Sequence, residues 1–456
     1  MMKILLTGQK MTNTKSVFYK IIQHIDLTFY ISILYLLFIG ITAIYSASSN
    51  LDNPTKYITT QFIALSIGTV GMLFLAGFNY QYYKHFGKFI YILSCILLVS
   101  VLIFGTQHKG TKGWFDLPFF SFQPVEITKI MLILTLASFI DKHWNEISKL
   151  SIFIKTLCLT LGHFLLIMLQ PDFSSTLSYF PITLILLYVA GARLTHIFAV
   201  ILYGALAVLI PLLVTFFKLQ PELLESNKLV NFFVTASTNW HKAVIILGVL
   251  VLIIILAKWF LNKLRIPIGW AYPVIFLSII LAGSFSSIVV NKSLKEYQRK
   301  RLIVFLKPEI DSRGAGYNII QSKIAIGSGK FSGKKFFKGT QTQLGFLPEQ
   351  RTDFIFSVIG EEGGYVLAQL TILFYFLFIW RALVVAKQAR DRFGSLVAMG
   401  IATMFAFYAI INLGMVMGLM PVTGLPLLLL SYGGSSMLSS IFAIGILISI
   451  HIRRFY

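Results

Sequence analysis

Apolar runs of about twenty residues alternate with shorter polar connections along almost the whole of this chain. Runs centred near residues 38, 69, 97, 133, 160, 184, 206, 251, 279, 372, 407 and 442 predict about twelve spans. Twenty residues of helix suit the roughly 30 Å of a bilayer's hydrocarbon, and the short alternating pattern of an outer-membrane barrel is missing. The expected fold is therefore all-α, a polytopic integral membrane helical bundle forming one domain over residues 1–456. Two interruptions stand out: a long polar loop over residues 291–353, and the segment Pro421 to Ser436, PVTGLPLLLLSYGGSS, which breaks an apolar run with prolines and glycines. Backbone groups freed by such a break must face protein or water, as in helices that line a cavity; a tight extracytoplasmic turn is the alternative.

Composition strengthens this picture. With 57% hydrophobic and only 12% charged residues and a mean hydropathy of +0.80, the chain lies outside the range of soluble globular domains. The net charge of +22 is no sign of nucleic-acid binding, because the cations sit in short loops flanking apolar spans, without aromatic stacking modules. Lys84 and Lys88, Lys142, Arg193, Lys258 with Lys263 and Arg265, Arg381 with Lys387, and Arg453 with Arg454 fall in alternate connections. The positive-inside rule then puts both termini in the cytoplasm and the 291–353 loop outside. Ser46-Ala47-Ser48-Ser49 offers the small residues of a signal-peptidase site, but the run before it is longer than a signal core and reads as an uncleaved first span. Cys95 and Cys158 lie inside apolar spans, and His163, on an apolar face, reads as a packed bundle residue, so no metal site is assigned.

The charged and polar residues at the borders carry the candidate chemistry. The outer loop holds thirteen Lys/Arg against five Asp/Glu in residues 292 to 353, with glycines whose backbone amides can approach an anion. It has no G-x-x-x-x-G-K-[ST] sequence and so is not a nucleotide P-loop; a headgroup-facing solvated loop and a cradle for a phosphorylated substrate both remain. Asp353 stands where this loop re-enters an apolar run. In Lys109 to Lys129, Pro124 suits a first helical turn, and Glu126 and Lys129 then share one face. A charged pair at that depth reads either as functional or as an ion pair fixing two helices. Trp114 fits an interfacial anchor, Pro171-Asp172 puts an acid at another border, and Asn412 and Ser431 are placed to bond across helices or to substrate.

Long stretches of these loops resemble the SEDS family (shape, elongation, division and sporulation). The K-G-x-x-R-W…F-Q-P-S-E-x-x-K pattern is matched by Lys109, Gly110, Trp114, Phe122, Gln123, Pro124, Glu126 and Lys129, with Gly113 and Val125 replacing the usual Arg and Ser. P-D-L-G-T keeps only its start, Pro171 and Asp172. Y-Q-x-x-R appears at Tyr297, Gln298 and Arg301, and G-A-G-Y-x-I-I-Q-S-K-I-A-I-G-S-G at Gly314 to Gly329. L-P-E-x-H-T-D-F-I-F is Leu347 to Phe356 with Arg351 for His, and S-Y-G-G-S is Ser431 to Ser435. GTQTQLGFLPE leans toward the elongation branch.

The resemblance implies a glycosyltransferase that polymerises lipid II into peptidoglycan glycan strands during cell elongation and shape maintenance, releasing undecaprenyl diphosphate. It implies Asp353 as the catalytic base. Substrate binding would fall to Trp114, Gln123, Glu126 and Lys129; to Arg301, Gln321, Ser322 and Lys323; and to Glu349, Thr352, Ser431, Gly433 and Gly434. The implied location is the bacterial inner membrane, and the implied partners are a class B penicillin-binding protein (a transpeptidase) and the elongation machinery. No cofactor is implied, and dependence on a divalent cation stays open. Family members usually have ten spans, so residues 218–290 read as an insertion carrying two extra, expected at the bundle periphery. A lipid II flippase and a scaffold of the elongation complex are the competing readings; a flippase needs cations and a path but no external base.

Overall fold

The computed structural model describes residues 26–51, 53–108, 110–117, 121–218, 221–238, 248–249, 251–253, 255–256, 258–260, 263, 304 and 314–455. Among them seven helices are long and apolar enough to cross a membrane, and the protein is a polytopic helical membrane protein. The expected centres at 38, 69, 97, 133, 160, 184, 206, 372, 407 and 442 all fall in helices, whereas that near 279 lies outside the described residues and that near 251 is described only in part.

The chain divides into two compact units. The first comprises Met1–Ala190, Gln321–Val416 and Gly424–Tyr456; the second Gly191–Ile320 and Met417–Thr423. Helices of the first unit are α1 (Leu27–Ser48), α2 (Pro54–Gly77), α3 (Gly87–Phe104), α4 (Pro124–Lys142), α5 (Leu150–Met168), α6 (Tyr179–Val189), α7 (Ile355–Gln388), α8 (Arg392–Val416) and α9 (Gly434–Ile452). The second unit holds a helix over Leu194–Lys218 and shorter ones over Pro221–Ser226 and Lys228–Thr238. Helix Ala315–Ser328 runs across the boundary between the two.

In the first unit α9 is the most enclosed helix, buried along most of its length against α2, α4 and α8, while α7 packs on α1 and α8, and α3 on α4. Sequence signals set the ends. Pro54 and Pro124 begin α2 and α4, where a missing N–H costs nothing. Asp26 caps α1 through the Phe29 amide at 3.2 Å and is ion-paired with Arg381 at the far end of α7. Lys84–Asp141 (2.7 Å) and the Tyr80–Asp391 hydrogen bond tie neighbouring connections. Between α3 and α4 an antiparallel three-stranded sheet, β1 (Thr106–His108), β2 (Thr111–Asp116) and β3 (Ser121–Phe122), pairs His108 with Thr111 and Asp116 with Ser121.

Helix α7 is kinked at Gly364, whose φ of 68° and ψ of −168° leave the helical region and suit glycine. The groups released by the kink are taken up by the preceding loop. Lys334 and Lys335 amides donate to the Glu361 and Glu362 carbonyls (3.1 and 2.9 Å), and Tyr365 and Val366 amides donate to the Lys330 and Phe331 carbonyls (2.9 and 3.3 Å).

Candidate functional site

The predicted site residues converge on Ser431 to Ser435. This segment follows the break in the apolar run, and its approach is tight: a Cβ on Gly40 of α1 would lie 2.8 Å from the Leu429 carbonyl and the Leu430 Cα. Leu429 itself sits at φ 69°, a conformation that side chains rarely adopt and that surrounding contacts must enforce. The freed backbone groups are satisfied by protein. The Leu427 amide donates to Ser431 Oγ (2.8 Å), and Asn412 Nδ2 donates to the Leu425 carbonyl (2.7 Å). Gln61 of α2 holds the turn from its other side, accepting from the Gly433 amide at 3.2 Å and donating to the Ser431 carbonyl at 3.4 Å.

From this segment and Asn412 of α8 the Asp353 turn is suspended by three consecutive carbonyls. The Tyr432 amide donates to Arg351 O (2.8 Å), Ser431 Oγ to Thr352 O (2.6 Å), and Asn412 Nδ2 to Asp353 O (2.8 Å). The turn is closed internally by Glu349, at φ 54°, whose carbonyl accepts from the Thr352 and Phe354 amides at 3.1 and 3.3 Å. Gln350 fastens it outward to the Ala47 carbonyl of α1 (2.9 Å) and the Thr342 carbonyl (3.1 Å). The Arg351 guanidinium lies 4.2 Å from the centroid of the Tyr57 ring, which meets the Tyr432 ring edge-on. Asp353 is half-buried at the entry to α7, directly before the buried run Phe354, Ile355 and Phe356.

The same segment carries a second suspension. Ser435 Oγ accepts from the Gln123 amide (2.7 Å) and donates to the Ser121 carbonyl (3.0 Å), fixing the chain as it enters α4. Gln123 Nε2 then donates to Asp172 (3.0 Å), whose carboxylate also caps Ser175 N at 3.0 Å and accepts from Ser175 Oγ at 2.7 Å. Pieces of four motifs far apart in sequence are thereby knitted into one polar cluster.

Other predicted residues are placed differently. Lys129 is 1% exposed; its Nζ donates to Glu126 (2.8 Å) and to the Tyr408 hydroxyl, and stands 4.5 Å from the Tyr408 ring centroid. That arrangement favours the helix-fixing alternative for the pair. Ser322 is buried with its hydroxyl 2.8 Å from that of Ser357 and donating to the Val416 carbonyl (2.7 Å), so it serves helix packing, while Lys323 beside it is exposed and Gln321 half-buried. Trp114 stands on β2 with its ring edge-on to His108. Gly433 and Gly434 form the entry to α9. Arg301 lies outside the described residues.

Two features escaped the sequence reading. Gln61 is a lone amide in an apolar run, and its signal was only that a buried amide there needs partners. The neighbours Glu361 and Glu362 sit inside α7, 0% and 1% exposed. Glu361 accepts from Lys334 Nζ (2.9 Å) and from the Gln341 and Thr342 amides (2.8 and 2.9 Å), and Glu362 accepts from Ser46 Oγ (2.6 Å). Two adjacent carboxylates in an apolar run were a legible sign of a buried network.

This fold and polar cluster define a polytopic membrane protein with a braced acid at a helix entry. Comparison with known proteins then places it: the family model for cell cycle proteins of the FtsW, RodA and SpoVE type matches residues 26–241 and 242–455, and the chain belongs to that family. It is 35% identical to peptidoglycan glycosyltransferase RodA of Treponema pallidum (strain Nichols) over 95% of this chain and 99% of that protein. Against peptidoglycan glycosyltransferase MrdB of Escherichia coli (strain K12) identity is 33%, covering 94% of each. Among solved structures, a chain of a peptidoglycan synthase complex that coordinates polymerization and crosslinking matches with a TM-score of 0.64 and 25% identity, covering 94% of this chain and 98% of that one. RodA of Thermus thermophilus, at 20% identity and a TM-score of 0.57 over 94% and 98%, shares the fold.

Proposed function

We propose that this protein is a peptidoglycan glycosyltransferase that polymerises lipid II into glycan strands, with Asp353 as general base. The observation that carries the reading is the near full-length similarity to relatives named for this activity; the braced Asp353 turn is what the chemistry requires. A sugar hydroxyl of one lipid II loses its proton as it attacks the anomeric carbon of another, and a carboxylate held at a fixed place accepts that proton. The bond to the departing lipid diphosphate breaks, and cations offset the charge that develops there. Arg351, held over Tyr57 two residues before the base, and exposed Lys323 are the described candidates for that role.

The solved synthase complex, which contains a chain of similar fold and coordinates polymerization and crosslinking, supports a transpeptidase partner of the class B penicillin-binding type. The proposed location is the bacterial inner membrane, with both termini cytoplasmic and the Asp353 turn at the outer face. The test is purified protein given lipid II, with strand length read on gels and undecaprenyl diphosphate release measured, beside Asp353→Asn of matched thermal stability. Strands are expected from the natural chain and almost none from the variant. Equal synthesis by both removes Asp353 from the role of base, and lipid II translocation without strands replaces the polymerase reading with the flippase.

A further inference from the structure

The loop over residues 330–338, KFSGKKFFK, is absorbed neither by the Asp353 turn nor by the core. Its backbone is fixed by the bonds to the kinked α7, and it passes through left-handed φ at Lys330 (50°), Lys335 (75°) and Phe337 (64°). Such conformations persist only where surrounding structure enforces them, so what the loop displays is held in place.

It sits at the head of a seam between α1 and α7. The two helices run antiparallel and stack Phe29 on Phe378 (5.6 Å) and Tyr35 on Phe374 (4.0 Å). On their outward faces, away from these contacts, α1 exposes Leu34, Phe38 and Tyr45, and α7 exposes Tyr365, Phe376 and Trp380. At helical spacing on membrane spans, these stripes face lipid tails. Both end at the loop: Phe337 meets Tyr45 edge-on at 5.2 Å, and Phe331, 70% exposed, stacks on Tyr365 at 6.1 Å. Helix α1 has 22 residues, a rise of about 33 Å. Tyr45, three residues from its end, therefore lies at the hydrocarbon border, where aromatic belts form.

Lysines stand at the same level. Lys334 is turned inward to Glu361 (2.9 Å) and Thr340 (2.6 Å), whereas Lys330, Lys335 and Lys338 are exposed and make no ion pair among the described residues. Three displayed ammonium groups at the level where these outward aromatic faces meet the loop match an anion whose tails lie in the surrounding lipid.

We propose that this loop and the ends of α1 and α7 beneath it form a binding site for bulk anionic phospholipid, the phosphodiester headgroup meeting Lys330, Lys335 and Lys338 and the acyl chains starting beside the aromatic pairs Phe337–Tyr45 and Phe331–Tyr365. The site is independent of the polymerase reading. It gives the protein a boundary lipid clamped beside the Gln343 and Gln350 contacts that fasten the Asp353 region to α1.

The test places the full chain in nanodiscs of phosphatidylglycerol and phosphatidylcholine and counts retained lipids by native mass spectrometry. The natural chain should retain phosphatidylglycerol preferentially, and Lys330→Gln/Lys335→Gln/Lys338→Gln should lower that preference roughly five-fold or more. Lys338→Gln alone, at a position without left-handed backbone, should lower it partially if the triple variant does not fold. Raising salt should weaken the preference of the natural chain, because contacts at the membrane surface are screened. Asp353→Asn should retain lipid as the natural chain does, whatever its effect on polymerisation. Unchanged phosphatidylglycerol retention in the lysine variants overturns the site. So does loss of undecaprenyl diphosphate binding with phosphatidylglycerol retention intact, which would assign the lysines to the substrate.

Discussion

Asp353 and Lys129 are ionisable residues in the same bundle, yet the protein handles them in opposite ways. Around Asp353 the anchoring hydrogen bonds from Ser431, Tyr432 and Asn412 grip main-chain carbonyls, and the residue stays half-buried. Around Lys129 the charged atoms themselves are engaged by Glu126 and Tyr408, and burial is almost complete. Holding a backbone fixes where a side chain begins. Holding the charged atoms satisfies them for the fold. The proposed base and the proposed strut thus differ in how they are positioned, by main-chain anchors at Asp353 and by contacts to the charged atoms at Lys129, even though their residue types look equally functional in sequence.

The sharpest way to break this contrast is at the acid. Asp353→Asn keeps size and every main-chain anchor, so lipid II polymerisation should fall by about 10²–10⁴-fold, the usual worth of a general base, with little change in thermal stability. Substantial residual synthesis by the folded variant would mean that the braced turn serves something other than proton transfer.

The strut predicts the reverse pattern. Lys129→Ala leaves Glu126 buried without its partner, a change of about 3–5 kcal/mol in stability, read as a large drop in melting temperature. The neutral pair Glu126→Gln/Lys129→Met should recover much of it. A stable Lys129→Ala with weakened lipid II affinity would instead move the pair into the substrate site.

The anchors come next. Asn412→Leu strands the Asp353 and Leu425 carbonyls at a cost of about 1–3 kcal/mol, and it should lower kcat more than it raises KM because the base loses its fixed position. A rise in KM alone would show that Asn412 serves substrate binding. Gln61→Leu should produce the same kinetic split at smaller size, since it acts through Ser431 and Gly433.

The smallest effect belongs to the exposed sheet. The Ser121 hydroxyl, with help from Thr106 and His108, holds the Asp116 carboxyl below its ordinary value. A carboxylate lowered on folding stabilises the fold above its unfolded pKa, and that contribution is lost as pH falls through the lower folded value. Asp116→Asn should therefore shift the melting temperature only slightly near neutral pH, and the difference should vanish in strong acid. A large shift would give the sheet a structural weight that its exposure argues against.

The sequence made the spans legible because membrane thickness imposes a length that survives in any register, and ten of the expected centres fall in helices. It also marked the loops that supply the site, since Gln123, Asp172, Asp353 and Ser431 are polar residues at apolar borders. What it did not disclose is which atoms these residues use. Ser431 and Asn412 read as hydroxyl and amide groups available to substrate or to helices, and their use on the adjacent carbonyls of Thr352 and Asp353 depends on a backbone path through Leu429 that no periodicity predicts. Gln61 was hidden for the same reason, because its partners are main-chain groups. The clasp between the 330–338 loop and α7 depends on one positive φ at Gly364, and glycine is compatible with many other conformations.

The segment Ser431 to Ser435 bears both the Asp353 turn and the Gln123 entry to α4, at sites four residues apart. It behaves as a common datum in the machinist's sense. When thermal motion or a passing strand shifts this short stretch, both parts hung from it shift together, and the error cancels in their separation. Alignment between the acid and the Gln123–Asp172 side is therefore tolerant of sway in the surrounding spans and sensitive to bending within five residues.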